Sequence, residues 1–337
     1  MKKLLIALAI LAILVVVYLM GPTPETPVYT QQLPSVPPIE HIDDYVAQHE
    51  AQYHLRKDNH AQIIWADSTG KPTDYVLLYL HGFSASWMEG DPVNRNVAKY
   101  FGVNTYMARL AGHGLMDTLA LSGFTPESAW ESAQEALMIA HSLGNKVVII
   151  STSTGSPLAL KLAADYPDKV AGLVNLSPNL RIRNAAARIL NDPWGEQIAR
   201  LLYGKGRVIH HHQQEASKYW DTLHTPSALV ALEELLETTM YDTLYAKVKC
   251  PVLTLYYYKD EQHQDEVVDV SVIPEMHKAL GTPDSEKKYV PLPTPGDHVI
   301  GSSIKSADYQ VVEKEVKAFC RDVIGMPVKI STQQAIL

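Results

Sequence analysis

Residues 146–163 read KVVIISTSTGSPLALKLA, and this stretch constrains the fold of the 337-residue chain most tightly. KVVIIS is too continuously apolar for one face to be wet, so it reads as a strand buried on both sides. SPLALKLAADYP, just after residue 155, has the 3.6-residue periodicity of a helix. STSTG at 151–155 leaves room only for a tight turn between them, which puts Ser153 at the centre of a strand-turn-helix junction. The usual pattern for a serine so placed is G-x-S-x-G, with small residues on either side because strand and helix backbones pass close together. Gly155 fits it, and Ser151 stands where the first glycine is expected.

The same alternation extends outward. Strands are expected at 62–66, 75–80, 103–109, 170–176, 251–258 and 288–292, with helices between them. The clearest helix begins at Thr125, a good N-cap, with Pro126 at its first position, and runs toward Leu143 before Gly144. Another spans about 307–323. This is an α/β fold, a mostly parallel sheet flanked by helices, occupying 39–330. The rhythm breaks once, between Pro178 and Lys249, where helical patterns such as Leu229, Leu232, Leu236 and Met240 recur without a convincing strand. Residues 179–249 are therefore read as a helical lid inserted before the strand at 251.

Composition narrows the classes. With 46% hydrophobic and 20% charged residues the chain is globular. Its 29 basic against 37 acidic residues argue against nucleic acid as partner. Two cysteines, Cys250 and Cys320, exclude a disulfide scaffold. Cys250 opens a strand and Cys320 sits mid-helix, so free thiols are expected.

Lys2 and Lys3 precede seventeen uncharged residues, Leu4 to Met20, about 25 Å of apolar helix and near the lower limit for crossing a bilayer. The run ends in Tyr18, Leu19 and Met20 with no small-residue cleavage pattern after it. Residues 1–20 are read as a single-pass inner-membrane anchor, with a cleaved secretion signal as the alternative. The two lysines place the amino terminus in the cytoplasm and the bulk of the chain on the extracytoplasmic, periplasmic side. Residues 21–38 carry six prolines and read as an extended tether that holds the domain off the membrane.

The chemistry is expected at strand ends. LHGF at 80–83 fits a loop in which His81 and Gly82 shape a turn and the Phe83 amide, with that of Thr154, donates to a developing oxyanion. His81 is expected to tie the loop through its imidazole. His298 follows the last strand in the turn PTPGDHVIGS and is the candidate base, since an imidazole pKa of about 6.5 lets it take and return a proton near neutrality. Asp297 beside it is expected to face solvent. The acid orienting His298 is either Asp260, nine residues after Pro251, or Asp265, and Asp265 is preferred because a D-x-x-V turn offers Val268 as an apolar anchor. Trp87 and Met88 are pocket candidates. Trp194, Tyr203, Tyr219, Trp220, Tyr241 and Tyr245 divide between lining an acyl pocket and packing the insertion. His49 and His54 are five apart and point away from each other on a helix, so no metal is expected there. His210, His211 and His212 are read as a polar surface facing water.

HGF at 81–83, LAGHG at 110–114, STSTG, QDEVV at 264–268 and GDHV at 296–299 together make the chain resemble the α/β-hydrolase superfamily, and within it the serine carboxylesterase and monoacylglycerol lipase group, over roughly residues 73–325. The resemblance implies that Gly112, His113 and Gly114 border the site. The expected function is cleavage of carboxylic esters, short or medium acyl esters or monoacylglycerols, through an acyl-Ser153 intermediate, without a cofactor. A thioesterase, an acyltransferase or a non-catalytic envelope binding protein are the alternatives.

Overall fold

The computed structural model describes residues 2–116, 120–121, 123–209 and 214–329. In chain order its elements are α1 (Lys2–Leu19), α2 (Ile42–Glu50), β1 (Gln62–Ile64), β2 (Thr73–Leu80), α3 (Val93–Phe101), β3 (Asn104–Met107), α4 (Pro126–Leu143), β4 (Gly144–Thr152), α5 (Gly155–Asp165) and β5 (Val170–Leu176). Then follow α6 (Gly195–Tyr203), β6 (Arg207–Val208), β7 (Leu223–His224), α7 (Pro226–Thr239), α8 (Asp242–Tyr245), β8 (Val252–Asp260), β9 (His263–Gln264), α9 (Ile273–Ala279), β10 (Lys287–Leu292) and α10 (Tyr309–Asp322).

The strand order is β1-β3-β2-β4-β5-β8-β10, parallel throughout except that β1 lies antiparallel on β3; β9 pairs antiparallel with β8 off this path. Both faces are covered, as a parallel sheet requires. In β2, Val76, Leu78 and Leu80 enter a cluster with α4 and α5, while Tyr75, Leu77 and Tyr79 enter a second one with α3 and α10. Thr125 caps α4 by accepting the Ser128 N–H at 3.1 Å, and Ser128 Oγ accepts the Thr125 N–H at 2.9 Å in return. Because α4 runs directly into β4, Gly144 passes close to its neighbour, and a Cβ there would lie 2.7 Å from the Thr73 carbonyl oxygen.

Two expectations need correction. The insertion between β5 and β8 contains a short antiparallel ladder, β6 on β7, besides its helices. Two-residue strands are too short to leave a periodic signature. His210, His211 and His212 lie outside the described residues. The proline-rich stretch 21–38 is extended as expected, but it is no free spacer. The Thr30 carbonyl accepts Trp130 Nε1–H at 2.7 Å and Gln134 Nε2 at 3.0 Å, the Gln31 carbonyl accepts the Tyr166 hydroxyl at 3.0 Å, and the Tyr29 hydroxyl lies 2.6 Å from Thr238 Oγ1. Proline removes backbone donors but leaves carbonyls free, and side-chain donors of α4 and of Tyr166, just past α5, take them. No residue of α1 is buried, and among the described residues it is the one helix long and apolar enough to cross a membrane. Cys250 and Cys320 are free thiols.

Trp130 fastens this segment to the core. It is fully buried, stacks on Tyr166 with ring centroids 6.0 Å apart, and has Lys161 Nζ 4.5 Å from its ring. Trp130→Ala is expected to cost about 3–5 kcal/mol in urea unfolding of the full chain in detergent. Trp130→Phe removes the hydrogen bond to Thr30, costs about 1 kcal/mol, and opens 21–38 to limited proteolysis; an uncleaved segment would contradict this fastening.

Candidate active site

Parallel strands gather their C-terminal ends along one edge, and ligands bind there in open α/β sheets. β4 ends centrally at Thr152, and Ser153 turns the chain into α5 with a φ of 51°, a left-handed conformation rare for a residue with a side chain. Its N–H donates to the Leu176 carbonyl at 3.0 Å, and its own carbonyl accepts from Ser156 and Asn179 at 3.0 and 3.1 Å. The strained residue is thus held on three sides. Gly155 is obligatory, because a Cβ there would lie 2.2 Å from the Leu80 carbonyl oxygen. Ser151 is not under that pressure. Its hydroxyl, fully buried, lies 3.0 Å from Ser156 Oγ and donates to Asn175 Oδ1 at 3.0 Å.

Asp265 and His298 are brought together. Asp265 Oδ2 lies 2.7 Å from His298 Nδ1, and its Oδ1 accepts the Val267 and Val268 N–H groups at 2.8 and 3.0 Å, with Val268 fully buried beneath the turn. Burial opposes ionisation of Asp265, but the His298 charge, their hydrogen bond and the two amides outweigh it and hold the carboxyl below its usual range. For His298 burial acts downward, and the Asp265 charge and hydrogen bond, helped by Glu89 and Asp297, carry the imidazole above its usual value. Asp260 is elsewhere. It is exposed and occupied by the amides of Gln262 and His263 and by His263 Nδ1 at 2.8 Å. Residues 181–183 brace the acid turn: the Arg183 N–H donates to the Val267 carbonyl at 2.9 Å, the Asp269 N–H to the Arg181 carbonyl at 2.9 Å, and the Arg183 guanidinium to the Asp265 carbonyl.

Ser153, His298, Thr154 and Phe83 line one cavity of about 670 Å³, within the range that encloses small ligands. Its apolar wall includes Ile182, Leu229, Leu232 and Val267, and Trp220 and His224 reach it from the insertion. The other pocket candidates lie outside this lining. Trp87 turns away, its Nε1–H donating to the Asp58 carbonyl at 2.7 Å, and Met88 packs behind the sheet. Gly82 lies just behind Ser153, where a Cβ would approach Ser153 Cβ to 2.8 Å. His81 ties its loop, Nδ1–H donating to the Gly82 carbonyl at 2.8 Å and Nε2 accepting the Leu110 N–H at 3.0 Å. His113 packs edge-on against His81 at 4.8 Å and donates from Nδ1 to the Ala111 carbonyl at 2.8 Å. Burial pushes the His81 imidazole down to about 4 and that of His113 well below its ordinary value. Of the insertion aromatics only Trp220 lines the cavity; Tyr219 packs edge-on against Trp87, Tyr245 is buried, and Trp194, Tyr203 and Tyr241 are exposed. Asp297 is half-buried and lines the cavity rather than facing solvent, because its Oδ1 accepts the Val299 N–H at 2.8 Å.

Sequence reasoning missed Glu89. This buried carboxylate lines the cavity, accepts the Gly82 N–H at 2.6 Å, and is hydrogen-bonded to Tyr79 and Trp220. Burial lifts it to about 7, against the lowering effect of the Gly82 amide, the His298 charge and the Tyr79 and Trp220 bonds. A lone acid in the otherwise uncharged run SASWMEG, eight residues after His81, was the available signal.

The chain has the α/β-hydrolase fold. A metagenome-derived lipolytic enzyme of the LipS and LipT pair superposes with a TM-score of 0.62 at 18% identity, covering 79% of this chain and 99% of that one. The monoacylglycerol lipase of Paleococcus ferrophilus gives 0.56 at 12% identity, over 80% and 99%. Est1E of Butyrivibrio proteoclasticus, seen with ferulic acid, gives 0.53 at 17%, over 78% and 94%. Among curated sequences, the chloroplastic protein PHYLLO of Arabidopsis thaliana is 25% identical over 168 residues, which is 48% of this chain and 10% of that protein. No family model matches the chain.

Ser151→Gly would restore the commoner sequence pattern, yet it strips a buried hydrogen bond from Asn175 and puts glycine inside a strand. The variant is expected to lose about 1–3 kcal/mol in urea unfolding; an unchanged midpoint would show that the hydroxyl contributes nothing.

Proposed function

We propose that the protein is a membrane-anchored serine hydrolase that cleaves carboxylic esters, with α1 as the anchor and residues 39–329 on the extracytoplasmic side. The observation that carries the reading is the Asp265–His298 pair opening into the same cavity as a serine in left-handed backbone at the end of β4. In this mechanism Ser153 Oγ attacks the ester carbonyl while His298 Nε2 takes the hydroxyl proton. Charge then grows on the carbonyl oxygen, facing the amides of Phe83 and Thr154. Collapse of the tetrahedral species breaks the bond to the alcohol oxygen, which leaves with the proton from His298. Water, deprotonated by the same imidazole, attacks the acyl-serine, and collapse breaks the bond to Ser153 Oγ, which takes the proton back from His298 as the acid is released. Asp265 holds the ring in the Nδ1–H tautomer and stabilises its charged form. No step calls for a cofactor.

The substrates are short or medium acyl esters or monoacylglycerols. Support comes from the cavity volume, its wall of Ile182, Leu229, Leu232 and Val267, and the helical insertion, which serves as a lid. A clear preference for thioesters over oxygen esters in an acyl-chain series would overturn this substrate class.

Ser153→Ala is expected to abolish fluorophosphonate labelling and hydrolysis of activated esters with the fold intact. Asp265→Asn is expected to lower kcat by about 10⁴, while Asp260→Asn stays near the parent rate; the reverse ranking, or labelling without Ser153, defeats the assignment.

The pH profile follows from the same charges. His298 acts as a neutral base, so activity falls as the pH drops through its pKa, and its raised value puts the acid limb above the ordinary imidazole range. Glu89→Gln removes one negative neighbour and should displace that limb to lower pH, with kcat reduced more than KM is raised. A limb that does not move means that Glu89 does not act on His298.

A further inference from the structure

α6 is amphipathic in the inverted sense. Its small residues Gly195 and Ala199 are buried, whereas Ile198, Leu201 and Leu202, three and four apart on one face, are exposed at 40%, 85% and 68%. Ile189, Trp194 and Tyr203 are further exposed apolar side chains in the same stretch of chain. A soluble surface seldom carries such a patch unless something covers it.

The position of the ridge says what covers it. Trp194 Nε1–H donates to the Val17 carbonyl at 3.1 Å and its backbone N–H to the Pro22 carbonyl at 3.0 Å, so the start of α6 is fastened to the end of α1. Leu14, Val17 and Tyr18 face Ile198 and Leu201 across one apolar gap. Trp194 holds a left-handed φ of 68°, strained for a tryptophan, and a Cβ on Gly21 would lie 2.2 Å from its indole. The junction is therefore built, and the packing of 22–38 on α4 fixes the angle at which the domain meets it.

Charge agrees. Between residues 181 and 205 five basic side chains face two acidic ones, in a chain of net charge −8. Arg188 and Lys205 are exposed and form no ion pair among the described residues.

We infer that residues 181–205 form a second membrane contact, with the ridge of α6 sunk into the acyl boundary and Arg188 and Lys205 against anionic phospholipid headgroups. The inference rests on the reading of α1 as a membrane anchor. Interfacial helices of this kind bury their apolar face about 5–10 Å deep. α6 packs on α7, whose Leu229 and Leu232 line the cavity, so docking sets the cavity mouth against the lipid.

The test uses the full chain in bilayer discs, with Cys250→Ala and Cys320→Ala removing the native thiols. An environment-sensitive fluorophore is placed on Leu201→Cys, or on Leu11→Cys in the anchor as a control. Brominated phospholipid is expected to quench both probes, the first by about twofold or more. Arg188→Glu with Lys205→Glu should relieve Leu201 quenching in discs containing phosphatidylglycerol and not in discs of phosphatidylcholine alone. A quenched Leu11 probe beside an unquenched Leu201 probe overturns the docking while leaving the anchor and the ester chemistry standing. If neither is quenched, the anchor fails and the docking with it. Protection of Leu201 that rises with protein concentration in detergent, without lipid quenching, assigns the ridge to a second copy and overturns the proposal. Charge reversal without effect in either disc removes the headgroup contact.

Discussion

The close approach of the start of α5 to the end of β2 sets the terms for the rest of the site. α5 starts so close to Leu80 that only glycine fits at 155, and that closeness forces Ser153 into left-handed backbone. A strained residue persists only when its surroundings over-determine it. Here the Leu176 carbonyl and the Ser156 and Asn179 amides do so, which ties the geometry of one hydroxyl to β4, β5 and α5 together. The same closeness brings the Gly82 loop against Ser153, and through Gly82 it reaches Glu89. Strain at one residue thus organises groups contributed by four separate stretches of chain.

Asp265 illustrates a second constraint. A carboxylate buried among apolar residues stays ionised only if its lone pairs are filled. Two amides of its own turn take one oxygen and His298 takes the other. The turn is braced in turn by residues 181–183, the first residues of the insertion. The insertion accordingly does more than line the cavity, since its base supports the turn whose carboxylate is hydrogen-bonded to His298.

The parts of this arrangement that were legible in the sequence are those governed by local rules. β4 and α5 announce themselves by unbroken apolar and 3.6-residue patterns, and α4 by Thr125 and Pro126. Asp265 was distinguishable from Asp260 only through the anchoring value of Val268, a local feature, and the structure brings Asp265 to His298. What the sequence left hidden depends on direction. On paper Trp87 is the better wall candidate than Trp220, but a short helical turn aims the first at Asp58 and the insertion delivers the second to the cavity. Glu89 escaped because its partners, Tyr79, Gly82, Trp220 and His298, lie at four unrelated distances along the chain. The extended stretch 21–38 was readable as extended, not as bound, since its partners lie far along the chain, on α4, just past α5 and on α7.

The paired histidines His81 and His113 carry a consequence for life in acid. His81 accepts the Leu110 amide through Nε2, so a proton on that nitrogen must break the bond. Folding lowers the affinity of both imidazoles for protons, whereas the unfolded chain binds them from about pH 6.5 downward. Stability contributed by the neutral rings is therefore whole above that pH and drains away as the medium acidifies toward 4. Two buried rings 4.8 Å apart cannot both become cations without opening the loop. Acid would then disable the protein by loosening its architecture, separately from any titration of His298.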